Sequence, residues 1–175
     1  MGNLVNKRAK IKEYIYGTTL PLIDGSGNYT TSLKLISREF TDITELRDHD
    51  LPACFLLGDA PTNFYHLTAE EYVTGTTEAD LTNGMPLFIV GVIKHKRKET
   101  MDKAGEMENA LDDLYADITL AMCGGDLRKG GYAEATILRG MTSSIQWSES
   151  HGYGILVMEF SMKYRFNPRA TNPSV

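Results

Sequence analysis

ILVMEFSMKYRF, residues 155–166, alternates between two kinds of side chain at a strict period of two. One face is apolar or aromatic throughout and carries Leu156, Met158, Phe160, Met162, Tyr164 and Phe166. The other face begins apolar and then becomes polar, in the order Ile155, Val157, Glu159, Ser161, Lys163 and Arg165. This alternation is typical of a strand that packs one face on a core and leaves most of the other in water. We therefore expect a β-sheet at the centre of the fold.

The bulk composition predicts one globular domain. At 175 residues and 42% hydrophobic, the chain can bury a substantial core, which we place in residues 1–167, with 168–175 as a flexible tail. The net charge of −5 argues against a protein that binds nucleic acid by neutralising phosphates. No apolar run reaches the roughly 18 residues that a membrane span needs, so we expect no membrane partner.

Apolar spacing outward from this strand predicts an α+β fold. Helices are expected over two ranges, residues 3–16 and 99–122. Strands are expected over residues 32–40, 53–57, 87–95, 133–139 and 142–147. The strand 53–57 is apolar throughout, which indicates burial on both faces, and residues 59–85 are interpreted as a long loop or insertion. The expected architecture is a small antiparallel or mixed sheet flanked by helices, with one long helix between strands.

Charge is distributed unevenly around the long helix. Residues 99–117 hold seven acids against Lys103 alone, and one stripe contains Asp102, Glu106, Asp113 and Asp117. A solvated face is the simpler interpretation of such a stripe, and a channel lumen or subunit interface is the sharper one. Just upstream lies a basic patch that could pair with a neighbouring subunit, formed by Lys94, Lys96, Arg97 and Lys98. A further candidate interface is the polar edge of the last strand, formed by Glu159, Lys163 and Arg165.

Catalytic motifs are weak. The triplet Asp48, His49, Asp50 could contribute to a metal site, but no second histidine stands at the spacing of a helical zinc pair, so a polar turn is the better interpretation. The glycine-rich run 124–131 follows a helix and leads into a strand, which indicates a helix stop rather than a phosphate loop. We expect no catalytic residue, metal or cofactor, and hence no enzyme.

Four segments carry a resemblance to a known family. They are LPACFLL (51–57), FIVGVI (88–93), ENALDDL (108–114) and VMEFSMKYRF (157–166). In this order and over residues 1–167, the chain resembles the tail terminator, or tail-completion, proteins of long-tailed bacteriophages.

The resemblance implies a structural virion protein. Such proteins form a homohexameric ring on the finished tail tube, stop its polymerisation and present a surface to the head-tail connector or neck proteins. The ring would be assembled in the host cytoplasm, lie at the head-proximal end of the tail and let DNA pass through its lumen without binding it specifically. We expect reversal of Asp113 and Asp117 to lysine to impair assembly or DNA passage while the monomer still folds. The alternatives are a tail-tube or neck protein and, more distantly, a small metal-dependent enzyme that uses residues 48–50.

Overall fold

The computed structural model of the chain describes residues 6–58, 72–75, 81–96, 103–147 and 151–166. Two α-helices are present in this part of the chain, α1 (Lys7–Tyr14) and α2 (Lys103–Thr119). The strands are β1 (Leu35–Ser37), β2 (Ala53–Leu57), β3 (Tyr72–Gly75), β4 (Leu81–Lys96), β5 (Ala135–Trp147) and β6 (His151–Phe166). The fold is α+β, with α2 between strands of one mixed sheet, as the sequence predicts.

The sheet is built around β4 and β6, its two longest strands. The strand order is β1-β2-β4-β6-β5. One side of β4 pairs with β6, and the other side pairs with β3 over residues 81–84 and with β2 over residues 88–92. All neighbours are antiparallel except β1 and β2, which run parallel. β5 is therefore the outermost strand at one edge of the sheet, and β6 lies inside it.

The two faces of β6 are covered by different parts of the chain. Its apolar row from Leu156 to Tyr164 lies in the main core with both helices, which confirms the predicted core face. On the opposite face, Ile155 and Val157 pack into a second cluster, which includes residues of β2 and β4. That face was predicted to be largely wet, but burial continues through Glu159 and Ser161, which are 8% and 6% exposed.

Helix α2 lies close to the sheet through its apolar stripe. Met107, Leu111, Leu114 and Ile118 are all buried, as the helical spacing predicts. A Cβ placed on Gly91 of β4 would lie 2.6 Å from the Leu114 side chain, so a larger residue there would force Leu114 to shift. The short helix α1 is capped by Asn6, whose side chain accepts a hydrogen bond from the Ala9 N–H, and it buries Ile11.

A buried lysine closes the end of the long helix. A five-residue π-helical turn, Leu120–Gly124, continues α2, and the Lys129 ammonium donates hydrogen bonds to the carbonyls of Met122 and Asp126, both at 2.8 Å. Carbonyl groups at a helix end have no partner within the helix, and here Lys129 supplies one. The glycine-rich run 124–131 is thus a helix stop, as expected.

Several predicted boundaries differ from the structure. The expected loop 59–85 contains β3 and the first residues of β4, and its remaining residues lie outside the described part of the chain. The strands predicted over 133–139 and 142–147 are one strand, β5, with an irregular register between Leu138 and Gly140. The strand predicted over 32–40 is reduced to the three residues of β1. The predicted tail, 168–175, lies outside the described residues.

Candidate functional site

An acidic outer face on α2 is the first candidate surface. Glu106 and Asp113, two members of the predicted stripe, are exposed there, together with Glu108 and Asp112. Within the described residues these four carboxylates form no ion pair. Asp102 lies outside the described residues. The structure therefore has an exposed acidic face on α2, although its members differ from those of the predicted stripe.

Asp117 does not belong to that face. Its side chain is 3% exposed and accepts hydrogen bonds from the backbone N–H groups of Thr30, at 3.2 Å, and Thr31, at 2.6 Å. It holds the segment before β1 against α2, and cannot line a lumen. The helical spacing could have predicted that Asp117 is buried. It lies three residues after Leu114 and four before Ala121, so it shares a helix face with these two buried residues.

Lys94, the best-described member of the predicted basic patch, makes its contacts within its own subunit. The Lys94 ammonium donates a hydrogen bond to the Asp48 carboxylate and lies 5.3 Å from the centre of the Tyr153 ring. The hydrogen bond with Asp48 raises the pKa of Lys94. Lys96 ends β4, and Arg97 and Lys98 lie outside the described residues. Lys94 is therefore not a free cation for a neighbouring subunit.

The polar row of β6 is not a sheet edge, because β4 and β5 flank this strand on both sides. Glu159 is buried, Lys163 is half-buried and Arg165 is exposed. The Arg165 guanidinium forms an ion pair with Glu134, with Nε 3.1 Å from Oε1. Only the Arg165 end of the predicted interface strand is thus open to a partner.

A shallow cleft brings part of the Asp48–His49–Asp50 triplet next to Lys94. Its volume is about 380 Å³, and its lining residues are Asp48, Leu51, Pro52, Ile93, Lys94, His95 and Ala110. His49 contacts its neighbour Asp50 at 3.4 Å rather than joining the lining. Among the described residues, no three His, Cys, Asp or Glu side chains converge as metal ligands would. Among the described residues that line the cleft, Asp48 is the one carboxylate, and it already accepts a hydrogen bond from Lys94.

The most unusual surface is the outer edge of β5, which the sequence patterns did not single out. In the described part of the chain this 13-residue strand pairs with β6 alone. It contains no proline and one charged residue, Arg139. Two large apolar side chains on it, Met141 and Trp147, are 41% and 42% exposed. Long sheet edges with little charge pair readily with other chains, and monomeric proteins usually block them with charge, proline or short length.

Comparison with known sequences assigns no family, because neither a family model nor a curated protein matches the chain. Among the residues that the structure describes, no helix combines the length and apolar character that would carry it across a bilayer. Function must therefore be argued from the acidic face of α2 and the open edge of β5.

Proposed function

We propose that this chain is a structural protein of a bacteriophage tail, which caps the tail tube as a homohexameric ring. The ring would stop tube polymerisation and provide the joining surface for the head-tail connector proteins. The observation that carries the proposal is the open edge of β5, with half-exposed Met141 and Trp147. The edge supports self-association in general, and the choice of a tail cap as the assembly rests on the sequence resemblance to tail terminators.

The β5 edge supports self-assembly on energetic grounds. Its backbone N–H and C=O groups on the outer side can form a further ladder of hydrogen bonds. Burial of Met141 and Trp147 would add apolar area at about 25 cal/mol per Å². Monomeric proteins usually block such an edge, whereas a subunit of an assembly can use it for pairing.

The acidic face of α2 suits a conduit for DNA. Glu106, Glu108, Asp112 and Asp113 are exposed and form no ion pair with another described residue, and a lumen lined in this way repels phosphates instead of binding them. Screening at physiological salt limits the effect to about 8 Å, so the face would have to line the passage itself. In the proposed ring we therefore direct the outer face of α2 towards the lumen.

The test is negative-stain imaging of purified chain mixed with tail tubes of the same phage. We expect ring-shaped density at one end of each tube and bare tube walls. A tail-tube protein would instead lengthen the tubes, and a chain that bound along the walls or left both ends bare would refute the cap. Trp147→Ser should lose end binding, whereas Glu39→Lys, an exposed change on another segment, should retain it.

A further inference from the structure

We propose that free copies of this chain pair through β5 as an antiparallel dimer whose two-fold axis passes through Ser144. The inference does not rest on the proposed function, because it uses only the sequence and exposure of the sheet edge. It specifies the occupant of that edge before any larger assembly forms, namely the same strand of a second copy.

The register within the sheet shows which β5 residues share the α2 side. Met141 pairs with Met158, Ile145 with Gly154 and Trp147 with Gly152, and this row of β6 belongs to the main core. The alternate residues of β5 on the other face are small or polar: Gly140, Thr142, Ser144 and Gln146. The edge therefore has an apolar side, which continues the core outward, and a polar side.

The Trp147 ring lies next to Gly152, the residue opposite it on β6. A Cβ placed on Gly152 would be 2.4 Å from a ring carbon of Trp147, so the indole would have to move if residue 152 carried a side chain. Trp147 covers Gly152 and remains 42% exposed, so part of its ring is available to a neighbouring strand. A neighbouring strand would meet an ordered apolar surface there.

The spacing of the exposed residues is symmetric about Ser144. Met141 lies three residues before Ser144 and Trp147 three residues after it. A two-fold axis at Ser144 places Met141 of one copy directly opposite Trp147 of the second, on the same face, and repeats this contact on the other side of the axis. Each thioether then meets an indole ring, a favourable contact for sulfur. This single strand register therefore buries both half-exposed side chains, Met141 and Trp147.

Charge and length favour the same pairing. Residues 140–147 contain no charged side chain, so no like charges oppose each other across the axis. Arg139 lies at the irregularity that ends the regular part of the strand and stays outside the paired region. About this axis residues 141–147 of the two copies pair with each other, and these seven residues give a contact about 23 Å long at 3.3 Å per residue. At the opposite sheet edge the described outer strands are β1, with three residues, and β3, with four, and both are too short to match it.

Disulfide trapping tests the register in the full chain, with Cys123→Ser as the background. Ser144→Cys should form disulfide-linked dimers about tenfold faster than Thr142→Cys, because residues 144 face each other whereas residues 142 lie about 13 Å apart along the strands. An equimolar mixture of Thr142→Cys and Gln146→Cys should cross-link as Ser144→Cys does. Equal rates for Ser144→Cys and Thr142→Cys would overturn the proposal.

Trp147 supplies an independent readout, because it is the chain's single tryptophan. Concentrating the unmodified protein should shift its emission to the blue as the exposed flank is buried, and Met141→Ser should weaken the association at least tenfold. Emission that does not depend on concentration would overturn the dimer. If the chain caps tubes but forms no trapped dimers, this inference is wrong and the proposed function is unaffected. If it forms trapped dimers but does not cap tubes, the proposed function is wrong and this inference is unaffected.

Discussion

Asp117 and Thr31 are joined by a 2.6 Å hydrogen bond between a buried carboxylate on α2 and a backbone N–H in the segment that precedes β1. The second carboxylate oxygen accepts from Thr30. Asp117 is thus part of the folding core, although it belongs to the run of acids that suggests a lumen. The exposed acids and Asp117 should therefore respond differently to substitution.

Asp117→Ala should destabilise the fold by about 1–3 kcal/mol, because two backbone donors lose their acceptor in a partly buried place. Asp113→Ala, one turn earlier and exposed, should stay within about 0.5 kcal/mol of the native chain. Urea unfolding of the two variants measures the difference. Equal midpoints would show that the Asp117 contacts contribute nothing. Reversal to lysine at Asp117 should prevent folding, which corrects the expectation that both reversals leave the monomer intact.

Reversal of the truly exposed acids tests the lumen assignment. Glu106→Lys with Asp113→Lys should leave the unfolding midpoint close to native, since both side chains are exposed, and should give the assembled chain a salt-dependent affinity for duplex DNA. Binding at about 50 mM salt that weakens strongly by about 200 mM is the expected result. Glu39→Lys is the matched control and should not bind. If the control variant binds DNA equally well, the assignment of the α2 face to the lumen is wrong.

Lys94 should matter for folding and not for assembly. Lys94→Met removes its hydrogen bond to Asp48 and its contact with the Tyr153 ring, and we expect a loss of about 0.5–1.5 kcal/mol in the free energy of unfolding. The coupling to Asp48→Asn in a double-mutant cycle should be about 0.2–1 kcal/mol, because Asp48 is largely exposed. Native mass should be unchanged. A change in the number of associated copies would restore the intersubunit role predicted for this residue.

Asp126 should make the fold sensitive to acid. Its carboxylate accepts backbone hydrogen bonds from Gly130, at 2.6 Å, and Arg128, at 2.9 Å, and the bond from Gly130 chiefly lowers the pKa of Asp126. A lowered pKa means that the unfolded chain takes up the proton first. This contribution to stability is therefore complete above the unfolded pKa of about 3.9 and is lost as the pH falls through the folded value.

Asp126→Asn checks that sign. The variant should lose less stability than the native chain when the pH is lowered from 7 to 3, as measured by the urea midpoint at each pH. Parallel curves for the native chain and Asp126→Asn over the whole range would contradict the assignment.

The sequence pattern correctly predicts elements whose buried residues follow from the order of side chains within the element itself. β2 occupies the predicted residues 53–57, and its alternate side chains enter the two core clusters, as its uninterrupted apolar run indicates. The apolar stripe of α2 is equally local, because helical geometry alone aligns Met107 with Ile118. These features needed no knowledge of distant partners.

The missed features all depend on contacts between distant parts of the chain. Glu159 has the sequence signature of a wet strand face, and it is buried in the sheet between β4 and β5. β3 was hidden in a polar segment, because its pairing with β4 is a matter of register and not of hydrophobic pattern. The open edge of β5 could be recognised only after the strand order was known.

Tube length during co-assembly is the most direct measurement of the capping function. Tail-tube protein should be polymerised with increasing, sub-stoichiometric amounts of this chain, and the tube lengths measured by electron microscopy. We expect the mean length to fall as the chain is added, with one ring at the end of each tube. Tubes of unchanged length, or tubes with this chain incorporated along their walls, would contradict its function as a tail cap.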